Sequence, residues 1–362
     1  MIDSHCHPFS LQGGPLDLAS ITLDVERDPG AEDRRRRLGP LRLSQELLTA
    51  RLARRLGCDP EAVSEARAEA GRDWLSYVSG LFAEAGITGL IMDVAFPPEA
   101  GDRVSDYAAA AGCAVHPIFR IDPIVDRMIG EGAGAQAIVD AVSEAMEKAP
   151  SDGHVGFKTI LAYRTGLAVD PAAELDDAER SLHTDLPIRR RGKACRDLVL
   201  RRAIGLAADL GLPIQIHTGL GDSELRLAES NPLLLQELLL TPEASAARIV
   251  LIHGSYPWHE EAAYLAATRP NVWLDLSLFN LFSPATVADR MLRVIDLAPA
   301  AKVMAGTDGH AEPELFWFGA IVLREAWGVV RGRLADAGAG EQWLDRAEGL
   351  LFEGTVRELY GI

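Results

Sequence analysis

Short apolar runs alternate with longer segments of mixed polarity along most of the chain. Several runs, such as Ile-Val-Leu-Ile at 249–252, are continuously apolar, which is typical of parallel strands buried on both faces. The pattern predicts eight strands, at Met1–Ser4, Ile87–Asp93, Ala114–Phe119, His154–Ile160, Leu212–His217, Arg248–His253, Asn271–Leu276 and Lys302–Thr307.

Between these runs, apolar residues recur at a spacing of three to four, which is the period of one face of a helix. Some of the segments end in glycine and proline, as at Asp209–Pro213, where a helix would stop. Helices are predicted between the strands at Trp74–Ala85, Ser105–Ala111, Ala135–Lys148, Gly192–Leu210, His259–Ala267 and Pro284–Leu297.

Eight strands that alternate with helices favour an α/β fold, a (β/α)8 TIM-type barrel that spans residues 1–362 as a single domain. The alternative is a doubly wound open sheet, which usually has fewer strands. That fold often carries a glycine-rich nucleotide-binding turn, and the sequence contains no GxGxxG motif. The barrel is therefore the favoured prediction.

Two regions depart from a plain barrel. Residues 8–73 are predicted to form a helical insertion over the barrel mouth after strand 1, with two amphipathic helices within residues 41–70. Residues 163–191 are polar and charged, and we expect a long active-site loop there. Two helices are expected near the C-terminus, at Glu314–Leu334 and Gln342–Tyr360.

Composition narrows the class of protein. The net charge of −17 disfavours a nucleic-acid-binding protein, because binding to phosphates requires a basic face. No apolar stretch approaches the ~18 residues of a membrane span, and the first residues lack the pattern of a secretory leader. The four cysteines have no paired spacing, which is typical of a reducing compartment. We expect a cytoplasmic enzyme that acts on a small molecule and has no nucleic-acid or membrane partner. It would be either a monomer or a homo-oligomer.

Side chains suited to a metal ion follow several predicted strands. His5 and His7 are two residues apart, so in an extended strand both point to the same side. His217, His253 and Asp308 each stand at the carboxyl end of another strand. Because all strands of a barrel open onto one face at these ends, we expect the groups to converge. Three or four imidazoles and one carboxylate suit Zn²⁺, with Fe²⁺ or Mn²⁺ as alternatives.

In this ordered set the sequence resembles the amidohydrolase superfamily, specifically its amidohydrolase-2 branch. The residues that carry the resemblance extend over almost the whole chain: His5, His7, Lys158, His217, His253 and Asp308. The chain is also similar to the amidohydrolase-type domain found fused to glutamine-synthetase-like domains. That second likeness is carried by GFKTILAYRTG at 156–166, IHTGLGD at 216–222, HGSYP at 253–257 and TDGH at 307–310.

The resemblance implies a metal-dependent barrel enzyme, usually a hydrolase, with decarboxylases and uronate isomerases as relatives. It implies that His5, His7, His217 and Asp308 bind a divalent cation. Such a cation lowers the pKa of a bound water toward ~7, and Asp308 would accept the proton of that water and deliver it to the leaving group. His253 would either bind a second metal or, as we favour, donate a hydrogen bond to the attacked oxygen.

Lys158 decides the number of metal ions. In binuclear relatives, a lysine at the end of the fourth strand is carboxylated and bridges two metals. An unmodified ammonium would instead bind a substrate carboxylate or polarise a carbonyl, and a structural ion pair at the barrel rim is a third interpretation. Tyr163 and Arg164 follow closely and make the binding of a substrate anion attractive, so we favour one ion.

Five further residues are candidates for contact with substrate. Arg120 and Arg164 are candidates for fork-like recognition of a carboxylate, with a solvated rim arginine as the alternative for each. Tyr163 belongs with Arg164 in this role. His310, just past the eighth strand, and Tyr256 are candidates for the pocket wall, with an ordinary loop residue and aromatic packing as the alternatives.

Together these features predict hydrolysis of an amide C–N bond or a related bond in a small carboxylate-bearing substrate through a metal-activated water. The likeness to domains fused to glutamine-synthetase-like domains makes a γ-glutamyl-type amide worth testing, although only by analogy. A decarboxylase or uronate-type isomerase on the same metal site is one alternative. A non-catalytic binding module is the other, and an intact ligand set argues against it.

Overall fold

The computed structural model describes residues 1–16, 22–23 and 30–362, and its centre is a parallel sheet of eight strands. Strand order follows chain order. The strands are β1 Ile2–Cys6, β2 Gly89–Asp93, β3 Ala114–Arg120, β4 Phe157–Thr159, β5 Ile214–His217, β6 Ile249–Ile252, β7 Val272–Asp275 and β8 Val303–Met304. Ser4 donates its backbone N–H to the carbonyl of Ala305 at 3.1 Å, which joins β1 to the end of β8. The predicted (β/α)8 barrel and its eight strands are confirmed.

Helices lie between successive strands, as crossovers between parallel strands require, and after the last strand. They are α1 Ala31–Leu38, α2 Leu43–Leu56, α3 Val63–Ala70, α4 Trp74–Glu84, α5 Val104–Ala111, α6 Asp122–Gly130, α7 Ala135–Lys148, α8 Leu175–Leu182, α9 Lys193–Asp209, α10 Gln236–Leu239, α11 Pro242–Ala246, α12 His259–Thr268, α13 Phe279–Phe282, α14 Val287–Leu297, α15 Pro313–Asp336, α16 Glu341–Gly349 and α17 Thr355–Tyr360. The predicted helices are all present, and α14 begins after a 3-10 turn at Pro284–Thr286. No helix of the described residues is both long enough and apolar enough to cross a bilayer.

The barrel interior is apolar at its amino end. Ile91, Ile118 and Val250 pack there with Val356 and Tyr360. Arg248, just before β6, donates to the carbonyl of Leu359 at 3.1 Å, which fastens α17 across this end. Because the amino end is filled, a ligand can enter the barrel only at the carboxyl ends of the strands.

The insertion predicted at residues 8–73 contains two helices where they were expected, since α2 and α3 lie within residues 41–70. Residues 17–21 and 24–29 of the predicted insertion are outside the described residues. The expectation of a loop over 163–191 is wrong in part, because α8 lies within it. Side chains of Glu174 and Asp177 form a capping box at its start, and Ala178 and Leu182, four residues apart, are buried.

Candidate metal centre and active site

A cavity of about 1330 Å³ lies at the carboxyl ends of the strands. The predicted site residues in its wall are His7, Arg120, Lys158, Tyr163, Arg164, His217, His253, Asp308 and His310. His5 is fully buried. Tyr256 is not in the wall: its ring lies parallel to that of Phe279, with centroids 6.4 Å apart, and the Arg290 guanidinium covers it at 4.6 Å. Aromatic packing, the alternative considered for Tyr256, fits this position.

The ends of β1 and β8 bring three donor groups together. Oδ1 of Asp308 lies 3.3 Å from Nε2 of His5 and 3.4 Å from Nε2 of His7. This oxygen is buried and no described residue donates a hydrogen bond to it. His253 joins the group, since one of its ring nitrogens lies within 4.8 Å of the ligand atoms of His5 and Asp308. An unpartnered buried oxygen beside ring nitrogens is the arrangement that a cation would complete.

The hydrogen bonds of His5 and His217 indicate which ring nitrogen of each imidazole carries no proton. Lys158 can only donate, and its Nζ lies 3.3 Å from Nε2 of His5, so that nitrogen carries a lone pair. Nε2 of His217 lies 2.9 Å from the carbonyl oxygen of Leu220, which can only accept. The proton of His217 is therefore on Nε2, and its Nδ1 carries a lone pair.

His253 is held in the same way. The Ser277 hydroxyl donates to the buried carboxylate of Asp275, so its oxygen accepts the proton on Nδ1 of His253 at 2.9 Å. Nε2 of His253 then has a lone pair, which faces Nδ1 of His217 at 3.0 Å. Metal-binding histidines are usually oriented by such outer hydrogen bonds. The geometry therefore favours His253 as a ligand over the predicted donor to an attacked oxygen.

Electrostatics give these groups the protonation states that a metal ion needs. Burial lowers the pKa of His5 to about 3, and burial also lowers the pKa of His217 and of His253 well below the ordinary value. At neutral pH these three imidazoles are uncharged, as metal binding requires, and a cation beside Asp308 would favour the ionised form of its carboxylate.

Lys158 is buried in the wall of the site. Burial lowers the pKa of its ammonium to about 8, and Asp93 opposes this shift. A structural ion pair at the barrel rim was the third interpretation of Lys158. Among the described residues Lys158 forms no such ion pair, and its hydrogen-bond partner is His5. Its position leaves the two functional interpretations: a carboxylated bridge between metals and a free ammonium.

Each of the two candidate arginines, Arg120 and Arg164, already donates hydrogen bonds to a carboxylate from one edge of its guanidinium. Nε and Nη2 of Arg120 donate to Oδ2 of Asp93 at 2.8 and 2.6 Å. Nε of Arg164 donates to Asp126 at 2.8 Å. Each carboxylate fixes the orientation of its guanidinium in the cavity wall.

Two polar groups lie near the imidazoles. The phenol oxygen of Tyr163 accepts the backbone N–H of Asp222 at 3.1 Å, so its own proton can point elsewhere. The ring of Tyr163 meets that of His217 edge-on, with centroids 4.8 Å apart. Nδ1 of His310 donates to the carbonyl of Asp308 at 2.8 Å, which leaves its Nε2 as an acceptor.

Comparison with known proteins agrees with this geometry. The family model described as amidohydrolase matches residues 2–327. The chain belongs to the amidohydrolase family. Protein fluG of Emericella nidulans is 36% identical over 189 residues, which are 48% of this chain and 21% of fluG. This amidohydrolase therefore spans about a fifth of the length of that curated relative.

Solved structures share the fold of this amidohydrolase. A protein assigned as a metal-dependent hydrolase from Lactobacillus casei superposes with a TM-score of 0.87 at 24% identity, covering 100% of this chain and 95% of that one. A uronate isomerase from Thermotoga maritima gives a TM-score of 0.67 at 15% identity, covering 99% of this chain and 94% of that one. The family and the donor set together indicate an enzyme with a divalent metal ion.

Sequence reasoning missed three carboxylates of this amidohydrolase. Asp93 and Asp275 end β2 and β7, and both are fully buried. Asp308 was predicted as a site residue because it stands at the carboxyl end of a strand. Asp93 and Asp275 stand at equivalent positions, so the same criterion could have identified them. Asp126 lies on α6, a helix that the periodicity did not predict, and it bridges Arg164 and Arg196.

Proposed function

We propose that this amidohydrolase is a zinc-dependent hydrolase that cleaves an amide C–N bond or a related bond in a small carboxylate-bearing substrate. The observation that carries the proposal is the buried Oδ1 of Asp308, to which no described residue donates and which lies beside Nε2 of His5 and of His7. Nitrogen ligands with one carboxylate suit Zn²⁺, with Mn²⁺ and Fe²⁺ as alternatives.

One ion is the favoured number. His5, His7, His217 and Asp308 would hold it, and His253 supplies a fifth inward nitrogen. A second ion requires Lys158 to be carboxylated. A bound divalent cation supplies Lewis acidity and makes hydroxide available near neutral pH.

Side chains of the protein would transfer the proton, stabilise the developing charge and bind the substrate. The ionised carboxylate of Asp308 takes up the proton of the attacking water and returns it to the leaving nitrogen. The O–H of Tyr163, whose oxygen already accepts the N–H of Asp222, donates to the oxygen of the cleaved carbonyl and supports its developing negative charge. Lys158 and Arg120 bind the substrate carboxylate.

The charge of the cavity supports an anionic substrate. Among the described residues of its wall, six side chains are cationic and four are carboxylates. The cations are Arg35, Arg103, Arg120, Lys158, Arg164 and Arg189, and the carboxylates are Asp126, Asp222, Glu224 and Asp308. Two of the cations, Arg103 and Arg120, also pair with Asp106 and Asp93, which are not in the wall. The cavity is therefore close to neutral, in a chain of net charge −17. A site that is less negative than the rest of the protein opposes the approach of an anion less than the surrounding surface does.

The experiment that tests the proposal is product analysis by mass spectrometry. Metal-stripped protein is reloaded with Zn²⁺, Mn²⁺ or Fe²⁺ and incubated with a panel of N-acyl and γ-glutamyl amides that carry a carboxylate, together with uronates and aromatic carboxylic acids. Hydrolysis gives two products whose combined mass exceeds that of the substrate by one water. An unchanged mass would indicate an isomerase, and release of CO₂ a decarboxylase.

Variants connect the activity with the site. His5→Asn removes a buried ligand and should abolish turnover and metal content together. His183→Asn is the matched control, because His183 is exposed and pairs with Glu179 on α8. Tight binding of panel compounds without turnover of any of them would instead support the non-catalytic binding module.

A further inference from the structure

We propose that Arg67, on α3 of the helical insertion, is a positioning residue for the metal centre. It holds in place the two chain segments that carry the ligands His7 and Asp308. This inference rests on the metal site of the proposed function and assigns a task to the helices within residues 41–70.

Arg67 is a buried cation with contacts on every side of its guanidinium. Its side chain is 2% exposed. Nε donates to Oε1 of Glu314 at 2.8 Å, Nη2 to Oε2 of Glu312 at 2.5 Å, and Nη1 to the carbonyl of Gly14 at 2.5 Å. Its Cζ lies over the ring of Trp74, 4.5 Å from the ring centroid. A planar fork with five donors can serve three acceptors at once, which an ammonium cannot do with this geometry.

Two of these partners belong to the ligand segments, which follow β1 and β8 and pair with each other. The N–H of His7 donates to the carbonyl of Gly309 at 2.8 Å, that of Ala311 to Pro8 at 3.0 Å, and that of Ser10 to Ala311 at 2.7 Å. Gly14 continues the first segment and Glu312 the second. Arg67 therefore ties the two segments together beyond the last of their backbone hydrogen bonds.

The second segment needs such support because its backbone is strained. Asp308 has a φ of 56° and Ala311 a φ of 54°, in the left-handed region that side chains other than glycine rarely adopt. Strained conformations persist only where the surrounding contacts fix them. If the Arg67 contacts are lost, we expect Asp308 to leave the position in which its oxygen faces His5 and His7.

Arg67 also neutralises a carboxylate that water does not reach. Glu314 is fully buried and accepts a second hydrogen bond from the phenol of Tyr77 at 2.8 Å. Removing Arg67 alone would leave this charge uncompensated and would endanger the fold. The test therefore removes both charges, in the double variant Arg67→Met/Glu314→Gln.

The chain provides a matched control. Arg51, on α2 of the same insertion, donates through Nη1 and Nη2 to Glu325 at 2.8 and 2.6 Å. This pair also joins the insertion to α15, but it contacts neither ligand segment. Arg51→Met/Glu325→Gln therefore removes a more exposed ion pair between the same insertion and the same helix, without disturbing the residues that hold His7 and Asp308.

The experiment measures Zn²⁺ affinity by chelator competition on metal-stripped protein, together with the melting temperature with and without Zn²⁺. We expect the Arg67 double variant to bind Zn²⁺ about tenfold more weakly and to gain less thermal stability from it. The Arg51 double variant should bind as the wild type does. Equal affinity in the two double variants would overturn the positioning role.

Arg67→Lys serves if the double variant does not fold. It keeps the charge beside Glu314 but loses the fork, so we expect a folded protein whose Zn²⁺ affinity is also reduced; wild-type affinity would contradict the proposal. A wild-type protein that binds no divalent metal would instead overturn the proposed function itself, and the two failures are thereby distinguished.

Discussion

Replacing Lys158 by methionine should stabilise the metal-free protein at neutral pH. The lysine is 1% exposed and its hydrogen-bond partner is an imidazole nitrogen of His5. Burial lowers the pKa of its ammonium from 10.5 to about 8. Methionine has a similar length and no charge to desolvate, so it removes this cost from the folded state.

The size and the pH range of the effect follow from the pKa shift. A shift of about 2.5 pKa units corresponds to roughly 3 kcal/mol, because each unit is worth about 1.4 kcal/mol. Below pH 8 both states of the wild type carry the ammonium, and the full cost is present. Between pH 8 and 10.5 the unfolded chain holds a proton that the folded chain has released, so wild-type stability rises with pH across this range. Lys158→Met should lack that rise.

The assay is urea unfolding of metal-stripped protein, followed by circular dichroism at a series of pH values. The difference between the wild type and Lys158→Met cancels the other titrating groups, including Lys302, whose pKa burial also lowers to about 8. Lys148→Met, at an exposed lysine, is the matched control. Parallel stability curves for wild type and Lys158→Met would refute the reasoning. If the mass spectrum of the intact wild type then showed added CO₂, Lys158 would be carboxylated, and the binuclear alternative would replace the single-ion proposal.

Three further changes test other parts of the site. Asp308→Asn removes the charged ligand, so Zn²⁺ should bind about 100-fold more weakly and its stabilising effect in calorimetry should be lost; an unchanged effect would contradict the ligand set. Arg120→Met leaves Asp93 buried without its partner, so the free energy of unfolding in urea should fall by about 3–5 kcal/mol, and Asp93→Asn in the same chain should restore most of it. Gly221→Ala places a Cβ against the phenol oxygen of Tyr163, closer than van der Waals contact allows. Because Tyr163 is proposed to support charge that develops in the transition state, kcat should fall in steady-state kinetics while Zn²⁺ affinity stays unchanged; a loss of affinity would show that Tyr163 acts on the metal centre instead.

The barrel could be predicted from the sequence because its pattern is local. Continuous apolar runs such as Ile249–Ile252 are the strands, and barrel closure places the residues that follow them at one mouth. That argument was enough to bring His5, His7 and Asp308 together. It needed no knowledge of any individual side-chain contact.

The arrangement behind the ligands was not predictable in the same way. The role of His253 depends on which nitrogen carries its proton, and that is decided by Asp275, the last residue of β7, and by Ser277 just beyond it. The engagement of Arg120 by Asp93 likewise joins two elements whose relative rotation the pattern does not fix. The direction taken by Tyr256 follows from packing against Phe279. Such contacts arise only when the elements are assembled.

Three of the proposed metal ligands, His5, His7 and Asp308, lie on the seam where the first and last strands of the barrel meet. Asp3 of β1 accepts the N–H of Thr307 at 2.8 Å, a contact between positions 304 apart in the chain. During translation, the histidines of β1 leave the ribosome long before the aspartate that completes their site. The ion can therefore be captured only after nearly the whole barrel has been synthesised and closed, and metal uptake becomes a late step that reports completed folding.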